Sequence, residues 1–243
     1  MKKDVTPPDI PRWVDARGML VARRGRIHAS DAATGGAIIL MNDGSLAVLT
    51  APMPRADLVS ALAVIRADAP WLVPADDVRA LAGLCEVLDV ERDERAIIHA
   101  MPADALHRTR ADREADVRWL MSPDAIDWSH VDAELRRELA AAFAFSPVAA
   151  AFDDGQAVSF CYAAFQTETL WDVSIDTIPR ARGRGHARQV AAFLVAHMRD
   201  RGRRPVWGAV DSNAASLALA RTLGFVPVDA LRVVTPRPPA LRR

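Results

Sequence analysis

The most informative segment of this chain spans residues 175–187 and reads IDTIPRARGRGHA. Its apolar beginning predicts a strand, and its end opens a long amphipathic helix. Gly183 and Gly185 let the backbone approach a ligand closely and adopt positive φ, so that successive N–H groups can point into one concavity. The helix adds its unpaired first-turn N–H groups and the positive end of its dipole. With the three arginines at positions 180, 182 and 184, the segment predicts a binding site for a pyrophosphate.

The residues after this loop continue an alternation of helices and strands. Residues 186–200 place apolar side chains at helical spacing, which predicts a helix with one face on the core. Residues 205–210 follow as a short strand, and Asn213 stands where it can cap a second helix, predicted over residues 214–223. Gly224 and Phe225 close that helix.

The combined order of these motifs resembles a known family. A strand, Arg-x-x-Gly-x-Gly, a helix, a strand, Asn213-x-x-Ser216 and Leu223-Gly224-Phe225 are similar to the acyl-CoA-binding core of the GNAT superfamily of N-acetyltransferases. The resemblance covers roughly residues 145–235. It implies a mixed α/β (α+β) fold with a largely antiparallel sheet flanked by helices.

The resemblance also implies a set of residues that bind acetyl-CoA. Thr177 and Ile178 would pair with the pantetheine amides in the manner of an added strand. Asn213 would bond to the pantetheine arm, and Ser216 would lie close to it. The pyrophosphate would be cradled by the backbone N–H groups of Arg182, Gly183, Arg184, Gly185, His186 and Ala187.

Three carboxylates are candidates for the general base of an acetyl transfer. Glu168, Asp172 and Asp176 occupy even positions of a strand predicted over residues 168–178, so a regular strand turns all three to one face. That face either lines a cleft or is exposed to solvent. Asp176 is closest to the predicted thioester. Many family members carry a tyrosine where this chain has Ala220, so the general acid stays unassigned.

The N-terminal part predicts a second α/β unit. Its signals are a hairpin over residues 37–50, helices over residues 55–67 and 76–84, and a strand over residues 95–101. We therefore expect an N-terminal domain at residues 1–110 and a GNAT domain at residues 111–243, with helices over residues 108–120 and 131–145. Residues 84–102 and 218–236 share a helix-turn-strand pattern, which is typical of a degenerate internal duplication. The alternative is an unrelated N-terminal α/β domain.

Composition restricts the class of protein. The 243 residues carry 31 basic and 31 acidic side chains, so no global charge favours nucleic acid or a membrane surface. Residues 180–204 are an exception, with eight arginines and one acid, and read either as a basic surface or as a positive funnel for CoA. Cys85 and Cys161 lack the spacing of a metal or disulfide motif, and neither a signal peptide nor a metal cluster is evident, which predicts a cytoplasmic protein without a metal.

These observations predict an N-acetyltransferase that moves an acetyl group from acetyl-CoA to a primary amine by direct attack on the thioester. One alternative is a non-catalytic acyl-CoA-binding regulatory module. A second is a nucleic-acid-binding protein that uses the arginine-rich stretch, against which stand the zero net charge and the scarcity of aromatic residues nearby. The sequence identifies neither the acceptor amine nor the oligomeric state.

Overall fold

A computed structural model describes residues 5–109 and 115–238. Its helices are α1 (Val14–Val21), α2 (Arg55–Leu62), α3 (Val78–Cys85), α4 (Ala103–Arg108), α5 (Ala133–Ala142), α6 (His186–Arg199) and α7 (Ala214–Thr222). Its strands are β1 (Gly25–Asp31), β2 (Gly36–Met41), β3 (Ala47–Leu49), β4 (Trp71–Pro74), β5 (Val90–Ala100), β6 (Val117–Leu120), β7 (Val148–Asp153), β8 (Gln156–Gln166), β9 (Leu170–Thr177), β10 (Arg204–Val210) and β11 (Val226–Pro236).

All these strands join one sheet in the order β1-β2-β3-β4-β11-β5-β10-β9-β8-β7-β6. Neighbouring strands are antiparallel except for two parallel pairs, β3 with β4 and β9 with β10. Each parallel pair is joined through a helix, as a parallel connection requires. The prediction of a mixed, largely antiparallel sheet flanked by helices is confirmed.

The two halves of the chain repeat the same arrangement. The order α1-β1-β2-β3-α2-β4-α3-β5 is followed, after α4 and β6, by α5-β7-β8-β9-α6-β10-α7-β11. The strand pairings within the two series correspond. Each half also contributes its last strand to the other half: β11 pairs with β4, and β5 pairs with β10. Of the two alternatives left open by the sequence, this reciprocal exchange fits an internal duplication.

The exchange makes the sheet continuous across both halves. β5 and β11 lie side by side at its centre, with an antiparallel register that runs from Val226 opposite Ala100 to Pro236 opposite Val90. The boundary expected between residues 110 and 111 lies outside the described residues and stays a prediction.

Helices cover both faces of the sheet. On one face, α1 packs on a core that includes Ile98, Leu170 and Leu231 from strands of both halves, and α5 packs beside it over β8. On the opposite face, α6 and α7 cover the C-terminal half, and α2 and α3 cover the N-terminal half. Side chains that alternate along a strand therefore enter different cores, as Tyr162 and Cys161 do.

One expected helix is wrong in part. Residues 117–120 of the segment predicted as a helix over 108–120 form β6, which pairs antiparallel with β7 at the edge of the sheet. Val117 and Trp119 pack towards α6, while Leu120 packs towards α5. The side chains thus alternate between the two faces of the sheet, a strand pattern that the many charged residues of this segment obscure in the sequence. Residues 110–114 of that segment lie outside the described residues.

Candidate functional site

The parallel strands β9 and β10 separate and leave a cleft between them. Their pairing is confined to Leu170–Asp172 of β9 and Arg204–Val206 of β10, although β9 continues to Thr177 and β10 to Val210. A cleft of about 570 Å³ lies at this divergence, at the N-terminal ends of α6 and α7. Its walls are formed by Ile175, Asp176, Thr177, Ala181, Arg182, Gly183, Gly185, His186, Ala187, Arg188, Asn213, Ala215, Ser216 and Leu219.

Two glycines shape the loop that leads into α6. Gly183 has φ +75° and Gly185 has φ +88°, a left-handed conformation that other residues rarely adopt. A Cβ added at either position would meet no described atom within 4 Å, so these residues are glycines because of backbone conformation and not because of crowding. The space in front of the loop is open to a ligand.

The first turn of α6 presents free backbone donors to the cleft. Gly185 is the N-cap and supplies no side-chain cap, and the first bond in this turn runs from Gln189 N to Gly185 O. The N–H groups of His186, Ala187 and Arg188 therefore have no partner within the helix. Together with the helix dipole they form an anion-binding position.

The arginines of the loop differ in their contacts. Arg184 pairs with the Asp153 carboxylate, and Arg180 donates to the Gln156 amide oxygen, so both guanidinium groups are tied to the β7–β8 turn. Arg182 donates from Nε to Thr177 O at 3.1 Å and remains exposed at the cleft. The positive charge at the cleft therefore comes mainly from Arg182 and the exposed Arg188.

His186, the first residue of α6, has an enclosed imidazole. Its side chain is 12% exposed, and Nε2 lies 4.0 Å from Asp153 Oδ2. Both ring nitrogens are shielded from solvent and make no hydrogen bond to the described residues. Such unsatisfied groups are uncommon in folded proteins, and because both nitrogens are enclosed, only the backbone N–H of His186 is available to a ligand in the loop.

The other residues expected to bind CoA occupy different positions. Thr177 lines the cleft, and the antiparallel alternation turns its N–H away from β8 because Ile178 N donates to Val158 O. Ile178 itself is 1% exposed and its carbonyl accepts from Ala181 N, so the structure does not bring it to the cleft.

Asn213 and Ser216 stand at the start of α7. Asn213 Oδ1 accepts from Ser216 N at 3.1 Å, which confirms the predicted cap. Ser216 Oγ accepts from Trp207 Nε1 at 2.9 Å, so the hydroxyl keeps its own proton for another acceptor. Trp207 was not anticipated from the sequence as a support of this site.

Comparison with known proteins bears on this cleft. Residues 149–234 match the family model of the GNAT acetyltransferases. This segment of the chain is therefore similar to the acetyltransferase domain of that family. It contains the strands β9 and β10, the glycine loop and both helices that line the cleft. None of the curated protein sequences matches the chain significantly.

Solved structures share the fold over nearly the whole chain. A GNAT-family protein from Novosphingobium aromaticivorans is 19% identical, with a TM-score of 0.64 over 93% of this chain and 96% of that one. A GCN5-related N-acetyltransferase from Kribbella flavida is 13% identical, with a TM-score of 0.64 over 95% of each chain. A tandem GNAT protein from the clavulanic acid biosynthesis pathway is 14% identical, with a TM-score of 0.58 over 96% of this chain and 89% of that one. The last similarity agrees with the repeated architecture described above.

Of the three candidate carboxylates, only Asp176 lines the cleft between β9 and β10. It is partly buried, and burial, followed by the negative charge of Glu138, raises its pKa to about 6, while Arg182 acts in the opposite direction. A carboxylate with this pKa is a better proton acceptor near neutral pH than an ordinary aspartate.

The structure does not bring the other two candidates to the cleft. Glu168 precedes β9, is exposed, and forms an ion pair with Arg17 at 2.7 Å. Asp172 faces the interior between β9 and α1, where burial and then the Asp15 carboxyl raise its pKa well above the ordinary value. The predicted row of acids on one face thus ends in three different environments.

Helix α7 presents an apolar wall to the cleft. Leu219 lines it, whereas Ala220 is fully buried in the core beneath the helix. A larger side chain at position 220 would first have to displace that core, in which Trp207 and Phe225 pack edge to face.

Within residues 5–109 and 115–238, no group of three His, Cys, Asp or Glu side chains could hold a metal ion. No helix in this part of the chain has the length and apolarity needed to span a membrane.

Proposed function

We propose that this protein is an N-acetyltransferase that transfers the acetyl group of acetyl-CoA to a primary amine. The observation that carries the proposal is one cleft that combines the left-handed glycine loop, the free N–H groups of α6 and the diverging strands β9 and β10. The two strands leave room for an extended chain to lie against β9. The loop and helix N-terminus suit the diphosphate at the end of such a chain.

In this proposal different residues of the chain bind different parts of acetyl-CoA. Backbone N–H groups of the segment 183–187 hold the pyrophosphate, with the Arg182 guanidinium attracting its charge. The Arg182 N–H has no part in this binding because it donates to Pro179 O at 3.3 Å. The Thr177 N–H, turned away from β8, bonds to the pantetheine arm. Asn213 and Ser216 border the same arm from the start of α7. Ile178 has no part in binding.

The acetyl transfer needs a neutral amine and a polarised thioester. Asp176, at the cleft end of β9, takes a proton from the incoming ammonium group, directly or through water. The amine lone pair then forms the new C–N bond with the thioester carbonyl carbon, and the C–S bond breaks so that its electron pair leaves with the CoA sulfur. The nitrogen gives up its second proton, and the thiolate takes up a proton, directly or through water, which leaves the amide and the free CoA thiol. A backbone N–H of the segment 174–177 stabilises the developing negative charge on the carbonyl oxygen.

The N-terminal half has no equivalent glycine loop. Residues 51–54, which lead into α2 as residues 178–185 lead into α6, read Ala-Pro-Met-Pro. Proline lacks the N–H that an anion would need. The corresponding end of β4 is bordered by Arg12, whose guanidinium is paired with Asp76 and Asp229. We therefore propose one acetyl-CoA per chain, with the N-terminal half acting as scaffold.

The two cysteines are free thiols, which supports a cytoplasmic location.

The test combines binding with turnover. Calorimetry should show acetyl-CoA binding at one site per chain, and the ligand at 100 times its dissociation constant should stabilise the fold by about 2.7 kcal/mol. Release of free CoA thiol should then depend on an amine drawn from a panel of polyamines, amino acids, aminoglycosides and lysine peptides. Absence of binding would refute the proposal. Binding without thiol release across the panel would indicate a non-catalytic acyl-CoA-binding module.

A further inference from the structure

A hydrogen-bonded pair lies beside Asp176 on the α5 side of the sheet. Tyr162 of β8 is 5% exposed, and its hydroxyl donates to Glu138 Oε1 of α5 at 2.6 Å. Tyr162 is the only tyrosine in the chain. Burial, followed by the bond to Glu138, raises its pKa, so the phenol keeps its proton and donates over the whole physiological range. The Glu138 carboxyl group is consequently held at a fixed place on an otherwise exposed helix face.

The strand register places this pair next to Asp176. Tyr162 lies opposite Ser174, and Phe160 lies opposite Asp176, so Asp176 and Tyr162 project from the same face of neighbouring strands. A diagonal pair in this arrangement is within reach of long side chains. The helix α5, which begins after Asp132, crosses above this face and brings the Glu138 carboxylate over the strands.

Several charged or titratable groups act on the Asp176 carboxyl. From α5 the carboxylates of Glu138 and Asp132 disfavour its charged form, and from the glycine loop Arg182 favours it. Glu138 is the largest of these charge effects, second only to burial. The groups that share electrostatic interactions with Asp176 on its own and neighbouring elements are Glu138, Asp132, Arg182, Tyr162 and Cys161.

We propose that Glu138, anchored by the Tyr162 hydroxyl, is a positioning residue whose negative charge keeps the Asp176 carboxylate basic enough to accept the proton of the attacking amine. The inference rests on the proposed transferase function. Neither residue needs to touch the substrate for this role. Glu138 acts through its fixed charge, and Tyr162 acts by fixing that charge.

The decisive variant is Glu138→Gln, which removes the charge but retains an oxygen that can accept the Tyr162 proton. Glu134→Gln is the matched control, because Glu134 lies one turn earlier on the same helix and is exposed. The first readout is the titration of the Asp176 carboxyl carbon by ¹³C NMR, assigned with Asp176→Asn. We expect its midpoint to fall by about half a pH unit in Glu138→Gln, roughly a threefold loss of proton affinity, and to stay unchanged in Glu134→Gln.

The second readout is the pH dependence of acetyl-CoA thiol release with the best amine of the panel. In Glu138→Gln its acidic limb should move to lower pH by the same amount, while calorimetry should give unchanged acetyl-CoA affinity. Tyr162→Phe should reproduce part of the shift because it releases Glu138 from its place.

An Asp176 midpoint that does not move in Glu138→Gln, or that moves equally in Glu134→Gln, would overturn the inference. Failure of the proposed function has a different signature. In that case Asp176 would still titrate differently in Glu138→Gln, but acetyl-CoA would not bind, or Asp176→Asn would leave thiol release unchanged.

Discussion

Two carboxyl groups, Asp15 of α1 and Asp172 of β9, lie partly buried between helix and sheet away from the cleft. Burial raises the pKa of Asp15 from its ordinary value of 3.8 to about 6, and burial together with the Asp15 carboxyl raises the pKa of Asp172. Asp15 Oδ1 is shielded from solvent and makes no hydrogen bond to any described residue. At neutral pH these carboxyl groups therefore ionise in a site that favours their protonated forms, which destabilises the fold.

The sign and size of the effect follow from proton linkage. The pKa of Asp15 is higher in the folded than in the unfolded protein, so the protonated side chain favours the folded state. This contribution to the free energy of unfolding is complete below pH 3.8 and is lost as the pH rises through about 6. At about 1.4 kcal/mol for each tenfold change in proton affinity, the loss reaches at most about 3 kcal/mol. Asp15→Asn keeps the shape of the side chain and removes this titration. The variant should therefore match the wild type near pH 4 and exceed its free energy of unfolding by up to about 3 kcal/mol at pH 7.5.

Guanidinium unfolding followed by circular dichroism at pH 4, 6 and 7.5 measures this difference. Asp124→Asn, a change at an exposed aspartate, is the matched control and should show no such trend. Asp172→Asn should behave like Asp15→Asn, and the two changes combined should stabilise less than their sum, because each relieves the other carboxyl. A difference between Asp15→Asn and the wild type that is the same at all three pH values would refute the reasoning.

Two further predictions concern the cleft. Gly185→Asp should weaken acetyl-CoA binding at least about 100-fold, near 2.7 kcal/mol, because its charge would stand where the phosphates approach. Gly185→Asn introduces a side chain of the same shape and the same backbone strain at φ +88° but no charge, so calorimetry should show a smaller loss of affinity than for Gly185→Asp. Gly202→Asn, at φ +72° away from the cleft, should leave the affinity unchanged. Equal affinities for Gly185→Asp and the wild type would place the phosphates elsewhere. Ala220→Tyr should lower the free energy of unfolding by about 1–3 kcal/mol through overpacking, since Ala220 is fully buried. An Ala220→Tyr protein as stable as the wild type would contradict this packing argument.

The loop at the centre of the site was predictable because its determinants are local. Gly183 and Gly185 precede an amphipathic stretch, and the structure places both in the left-handed region at the entrance of α6. The cap at Asn213 is equally local, since Oδ1 bonds to an N–H three residues later. Such features depend on residues within one turn of each other, so the sequence alone was sufficient to determine them.

Tertiary structure decided the features that depend on distant residues. The exchange of β5 and β11 joins strands more than a hundred residues apart, and pairing with β7 makes a strand of residues 117–120 where local charge suggested a helix. Asp172 and Asp176 look alike in sequence, yet one is enclosed against Asp15 and the other borders the cleft below Glu138. Local propensity fixes backbone conformation, whereas burial and charge at a side chain depend on which elements pack against it, and only the folded sheet determines that.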